Sequence, residues 1–165
     1  MDQLLKRIRS FDGVLELAPS EGSEFPEIAW GDYFFYYAPD GQVLARQQPY
    51  ATILTKNYPD EAMSNLDEPE RWRLNIHVGA TMFVELTGET PRSPARSWDY
   101  AATDVIVPHP VYRQQGWVSI INPSVNTSTV SIRLLRQAHE AAHHRAEHRR
   151  PHERAGGEPG AGDSR

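Results

Sequence analysis

Apolar residues recur along this chain with two periodicities, one with the spacing of a helix and one that alternates as in a strand. From Asp2, a residue typical of an N-cap, to Phe11, the apolar positions follow the helical spacing and predict a first helix. The same helical spacing predicts a middle helix over 80–87 and a long terminal helix over about 130–148.

The stretch Arg71–Val78 alternates cleanly between apolar and polar residues, which predicts a strand with one buried face. Its apolar members are Trp72, Leu74, Ile76 and Val78, and its polar members are Arg73, Asn75 and His77. A second strand-like stretch, 28–38, is rich in aromatic residues. Alternation divides these residues into two faces, Tyr33, Phe35 and Tyr37 against Phe34 and Tyr36. Four more strands are predicted over 14–17, 50–56, 104–107 and 117–122.

Short strands that are joined mostly by turns favour an antiparallel sheet. The sequence therefore predicts an α+β fold in which the N-terminal, middle and long C-terminal helices pack on one face of such a sheet. We expect one domain over 1–148, since about 140 residues are enough for a single core. Proline, glycine and charged residues dominate from Pro151 onward, so a disordered tail is predicted over 149–165.

Composition and charge limit the chemistry, the location and the kinds of binding partner that can be expected. The chain of 165 residues has no cysteine, which excludes disulfides and thiolate chemistry and favours a cytoplasmic location. No apolar run approaches the roughly 18–20 residues that span a bilayer, so no membrane partner is expected. The net charge is −5, and 7 acidic residues but no Lys or Arg lie between Ser10 and Arg46. This acidic edge disfavours nucleic acid and could instead meet a basic protein.

Candidate chemistry concentrates between Asp104 and Trp117, where a β-branched run stops at a histidine, His109, that stands between two prolines. The prolines restrict the backbone and hold the imidazole rigidly at the end of a strand. We expect acid–base work from His109 because imidazole titrates near neutral pH, with Tyr112 as a proton donor and Asp104 as a carboxylate that orients the ring. The alternative is structural, with His109 capping backbone groups in a tight proline turn.

A second candidate site is the polar face of the alternating strand. A cation, an amide and an imidazole in a row, Arg73, Asn75 and His77, suit a carboxylate or phosphate ligand. The alternative is an outward sheet face with ordinary polar residues. Aromatic walls for a ligand are expected from Trp30, Tyr36 and Trp117.

Histidines also raise the question of a metal. His77 and His109 would need a third ligand, from Asp32 or Asp104, and their spacing matches no recognised metal motif. We therefore expect no metal and no cofactor. Four further histidines, His139, His143, His144 and His148, are predicted to lie at a solvated end of the terminal helix.

Three stretches of the chain resemble a small bacterial family known only as domain of unknown function 6194. They are Glu27–Gly41, Arg73–His77 and Asp104–Trp117 followed by Asn122-Pro123, and the resemblance extends over about residues 1–145. The family implies no settled activity. A more distant resemblance to the YjbR/MmcQ-like fold implies a similar order of elements and a DNA-binding role, which the acidic charge of this chain disfavours.

The leading hypothesis is a small protein that binds an organic ligand in a polar, aromatic-walled pocket on or beside the sheet. A non-enzymatic interaction module that uses the acidic edge, and DNA binding by analogy of fold, are the alternatives. The sequence leaves open whether a reaction is catalysed, which oligomer forms, and whether His77 and His109 share one pocket.

Overall fold

The computed structural model describes residues 1–155, and side chains through Arg149. Six strands and three α-helices follow one another along the chain. The strands are β1 (Val14–Leu17), β2 (Tyr33–Tyr37), β3 (Ala51–Leu54), β4 (Arg73–His77), β5 (Ile106–Pro108) and β6 (Trp117–Ile121). The helices are α1 (Asp2–Arg9), α2 (Ala80–Thr87) and α3 (Ser128–Ala155).

The six strands form one antiparallel sheet in the order β1-β2-β3-β4-β6-β5. The first four strands are neighbours in sequence order, whereas β5 lies at an edge and pairs with β6 alone. In the centre, Leu74 of β4 stands opposite Ile53 of β3 and Ile120 of β6. The α+β fold and the antiparallel sheet that the sequence predicts are therefore confirmed.

All three helices cover the same face of the sheet, as predicted. The core between the layers contains Leu5 and Ile8 of α1, Phe83 of α2, and Leu134 and Leu135 of α3. These pack on Phe35, Ile53, Leu74, Ile76 and Ile120 of the strands. Each of these apolar side chains is at most 4% exposed, so the hydrophobic effect holds helices and sheet together.

The centre of the opposite face of the sheet is also buried, although the residues there are polar. Arg73 and Asn75 are each 1% exposed. Since polar groups are buried only where hydrogen bonds replace water, this face is not the solvated surface that alternation usually indicates. The segments that join β2 to β3 and β3 to β4 supply residues that cover it.

Most element bounds differ by a few residues from the sequence prediction, and three of the differences bear on the predicted features. The aromatic strand is shorter, because Glu27–Ala29 forms a 3-10 turn before β2 begins at Tyr33. Asp2 is the first residue of α1 rather than its N-cap, which is Met1. Helix α3 continues past His148 to Ala155, and the rest of the predicted tail, 156–165, lies outside the described residues.

Within the part of the chain that the structure describes, no helix combines the length and the apolar character that crossing a membrane requires.

Candidate functional site

A cavity of about 840 Å³, here called the sheet pocket, lies against the polar face of the sheet and is also lined by the later part of α3. Its polar lining includes Thr52, Glu61, Asn75, His77 and His109. Its aromatic lining comprises Phe34, Tyr36, Tyr58, Tyr112 and Trp117. Three arginines, Arg46, Arg145 and Arg149, also line it. The polar face of β4 and the turn after β5 thus meet in one cavity.

His109 follows β5 directly and is 3% exposed. Its Nδ1 accepts backbone N–H groups from Val111 at 3.0 Å and from Tyr112 at 2.9 Å. Because backbone amides only donate, Nδ1 carries no proton, and the neutral ring has its proton on Nε2. The imidazole therefore caps the proline turn, as the structural alternative supposed, and the cap fixes its tautomer.

The other nitrogen of His109, Nε2, is left for the sheet pocket. The Oε1 atom of Glu61 lies 3.9 Å away, beyond hydrogen-bonding distance. Burial, together with the nearby Arg73 guanidinium, holds the pKa of His109 well below its ordinary value of 6.5. The ring is thus an uncharged N–H donor at neutral pH, which disfavours the expected acid–base role.

Two contacts fix the turn that carries His109. The buried Arg113 forms an ion pair with Glu89 Oε2 at 2.9 Å. Gly116 has φ 82°, and a Cβ there would lie 2.9 Å from the carbonyl carbon of Gly79. Only glycine permits both this conformation and this approach, so the turn is held firmly against the start of α2.

Arg73 lies behind the pocket and does not line it. Its Nε donates to Asn75 Oδ1 at 2.8 Å, and its two terminal nitrogens donate to Ser64 Oγ at 3.0 Å and to Glu61 Oε1 at 3.1 Å. The guanidinium is thus engaged within the protein, which contradicts the expectation that Arg73 contacts a ligand. Its effect is indirect, since it positions Asn75 and Glu61, which do line the cavity.

Asn75 and His77 occupy the positions that the sequence predicted. Asn75 Oδ1 also accepts from Ser119 Oγ at 2.7 Å, and Nδ2 donates to Thr52 Oγ1 at 3.0 Å, so the amide is rigidly oriented. His77 Nε2 lies 2.9 Å from the Gln115 carbonyl and donates to it, which leaves Nδ1 as an acceptor. Burial and the positive charge of Arg145 lower the pKa of His77.

Aromatic rings form the walls. Tyr36 and Phe34 reach the pocket from β2, as the predicted second face of that strand. The Trp117 ring centroid is 5.5 Å from that of His77 and 6.4 Å from that of His109, so it lies near both histidines. Tyr112 is 52% exposed, and its ring centroid is 4.9 Å from that of His109. Its place at the rim is compatible with ligand contact.

Asp104 does not orient His109. Its carboxylate accepts hydrogen bonds from the amides of Ser124, Asn126 and Thr127 and from the Thr127 hydroxyl, at 2.6–3.0 Å. The Thr127 hydroxyl, followed by these amides, holds the pKa of Asp104 below its usual range. Asp104 therefore serves the start of α3, at the other end of β5, and its expected role beside His109 is wrong.

Trp30 is also misplaced by the sequence prediction. It lines a different hollow of about 560 Å³ that also includes Glu21, Glu27 and Asp32. Its indole Nε1 donates to the Phe25 carbonyl at 3.0 Å, within its own loop. The early end of the predicted aromatic strand explains this, because Trp30 precedes β2 and does not share its alternation.

The acidic edge is smaller than the sequence suggests. Asp32 is fully buried and accepts from Thr55 and from the Tyr58 hydroxyl, at 2.8–2.9 Å. Glu16 pairs with Arg9 at 2.9 Å. The other five acids, Asp12, Glu21, Glu24, Glu27 and Asp40, remain exposed.

Sequence reasoning missed all four charged residues that line the pocket, Glu61, Arg46, Arg145 and Arg149. Glu61 belongs to an irregular loop, and Arg145 and Arg149 lie on a part of α3 that was predicted to be merely solvated. His139 on the same helix is buried, with Nδ1 3.0 Å from the Tyr50 hydroxyl and Nε2 2.7 Å from the Asp12 carbonyl. Among the described residues, no group of three or more His, Asp or Glu side chains could hold a metal ion.

Fold and site define a small α+β protein with one antiparallel sheet, a core of helices packed on one face, and a cavity between the other face and the later part of α3. The chain belongs to DUF6194, a family of unknown function whose family model matches residues 1–151. This confirms the resemblance seen in the sequence. No curated protein and no solved structure matches the chain, so the likeness to the YjbR/MmcQ-like fold stays a prediction.

Proposed function

We propose that this protein binds a small organic ligand in the sheet pocket. The observation that carries the proposal is the Nε2–H of His109, which has no hydrogen-bond acceptor among the described residues although the side chain is 3% exposed. The donor lines the cavity, where an acceptor on a ligand could reach it, and a hydrogen bond of this kind contributes about 0.5–1.5 kcal/mol. The cavity volume of about 840 Å³ lies within the range of ligand sites.

The remaining groups support a bound ring compound. Tyr36 and Trp117 offer flat apolar surface, His77 Nδ1 offers an acceptor, and His109 offers a donor. The hydrogen bonds that hold Asn75, His77 and His109 fix these groups before any ligand arrives, which lowers the entropic cost of binding. We place the protein in the cytoplasm, and the lack of cysteine supports this.

The test distinguishes the role of Nδ1 of His109, which caps the turn, from that of Nε2, which is proposed to contact the ligand. The side-chain oxygen in His109→Asn can stand in for Nδ1 and keep the turn capped, but it has no group at the position of Nε2. We expect His109→Asn to retain a stability close to that of the natural protein and to lose ligand binding. His109→Ala removes both functions and should also lose about 1–3 kcal/mol, because two backbone amides are left without an acceptor.

Binding is measured by calorimetry with a panel of one- and two-ring compounds, each prepared as a carboxylate, a phosphate monoester and a neutral amide or alcohol. Chemical denaturation of the same variants gives the stabilities. Retention of binding by a folded His109→Asn protein would assign His109 to structure alone, and failure of every panel member to bind the natural protein would contradict the proposal.

A further inference from the structure

Positive charge gathers at the sheet pocket. Arg46 comes from the segment between β2 and β3, and Arg145 and Arg149 come from α3. The acid that lines the same cavity, Glu61, is already 3.1 Å from the buried Arg73 and compensates that charge. The pocket is therefore basic, although the net charge of the chain is −5.

Arg145 and Arg149 are four positions apart on α3 and lie on the same side of the helix, where like charges repel. Burial, and then the charge of Arg149, lower the pKa of Arg145. Among the side chains that the structure describes, no carboxylate lies within 4.0 Å of either guanidinium. A bound anion would relieve this repulsion.

Arginine is well suited to such an anion, since its planar guanidinium meets carboxylate or phosphate oxygens with two parallel hydrogen bonds. The same cavity offers Tyr36 and Trp117 as aromatic walls and the Nε2–H of His109 as a single directed donor. A simple inorganic anion would use the arginines and leave the walls and His109 without a partner. The lining therefore favours a molecule with both a charged group and a ring.

We propose that the ligand of the sheet pocket is a ring-bearing anion, a carboxylate or phosphate. Its charged group pairs with Arg145 and Arg149, its ring lies against Tyr36 and Trp117, and one of its acceptor atoms binds His109 Nε2–H. This inference rests on the proposed function and assigns a chemical class to the ligand.

The matched members of the ring-compound panel test it directly. We expect each anionic member to bind the natural protein at least about tenfold more tightly than its neutral counterpart, because charge-assisted hydrogen bonds are roughly twice as strong as neutral ones. Arg145→Gln should remove that preference. Arg133→Gln is the matched control, since it deletes the same charge from an exposed position of α3 outside the pocket and should preserve the preference.

A second readout reports where the anion lies. Arg145 depresses the pKa of His77, so an anion at Arg145 should raise that pKa, and a neutral panel member should not. NMR titration of the imidazole signals of the full chain measures the change. Equal affinity for charged and neutral members, or an unchanged His77, would overturn the assignment and leave ligand binding intact; a panel in which nothing binds would overturn the proposed function itself. The carboxylate and phosphate arms tell the two anions apart.

Discussion

The two ends of β5 carry the two polar residues that dominate its sequence segment, and the structure uses them differently. At one end, four hydrogen bonds from the segment just before α3 converge on the carboxylate of Asp104. At the other end, the turn engages one nitrogen of His109 and leaves the second facing a cavity. The fold thus engages the carboxylate of Asp104, but only one of the two ring nitrogens of His109.

The contrast teaches that residue type and burial do not separate scaffold from site here. Arg73 is more deeply buried than Asp104 and lies close to the pocket, yet its donors are engaged by Asn75, Ser64 and Glu61. What distinguishes His109 is hydrogen-bonding capacity that the protein itself leaves unused.

Arg73 should show the largest effect on stability. Replacing it in Arg73→Met removes one partner of a buried ion pair and leaves Glu61 without its partner, while Asn75 Oδ1 keeps only Ser119, so we expect a loss of about 3–5 kcal/mol in the free energy of unfolding. Urea denaturation, followed by circular dichroism, measures this. If Arg73, like Asp104, serves only the fold, the Arg73→Met molecules that remain folded should still bind the ligand.

The double variant Arg73→Met/Glu61→Leu is the matched control, because it removes both charges together. It should recover most of the stability, since a buried ion pair exchanged for apolar residues is often close to neutral. A double variant that is no more stable than Arg73→Met would show that the pair is not the source of the loss.

The dependence of stability on pH should come next in size. The folded-state pKa of His109 lies below its unfolded value of 6.5, so as the pH falls below 6.5 the unfolded chain takes up a proton that the folded chain does not. Stability should then fall by up to about 1.4 kcal/mol per pH unit, and this contribution is fully present only above that value.

Denaturation between about pH 7 and pH 5 checks this. His109→Asn should flatten the curve, and the slope that remains should come from His77 and His139, whose pKa values are also lowered. Asp104 also has a lowered pKa, but its contribution is lost only below its ordinary value of 3.8. An unchanged slope in His109→Asn would mean that His109 is protonated in the folded protein.

Asp104 should show the smallest of the three effects, confined to stability. Asp104→Ala deprives the amides before α3 of their acceptor, and we expect a fall of a few degrees in Tm. Ligand affinity in the sheet pocket should be unchanged, in contrast to His109→Asn. Weakened binding in a folded Asp104→Ala protein would mean that the two ends of β5 are coupled.

Alternation along single strands predicted much of the architecture from the sequence. The faces of β4 follow from Arg71–Val78, and the division of β2 into a core face and a pocket face follows from its aromatic residues. These predictions succeed because side-chain direction in a strand depends on the local backbone alone.

The site was less predictable wherever it depends on chain reversals or distant segments. Asp104 has φ 56°, which breaks the strand alternation and turns its carboxylate towards α3. Glu61 reaches the pocket from an irregular loop, and Arg145 reaches it from α3, which is distant in sequence from the strands of the pocket. Long-range packing fixes both positions, and no short-range pattern encodes it.

Pro108 has a second consequence at the free edge of the sheet. Successive backbone amides of a strand point to opposite sides, and the His109 amide donates to Trp117 of β6, so the Pro108 nitrogen faces outward, where it has no hydrogen to offer. A three-residue edge strand with a missing donor is a poor template for another chain. The Pro108 ring, which restricts the backbone at His109, thus also hinders the pairing of this edge with a strand of another molecule.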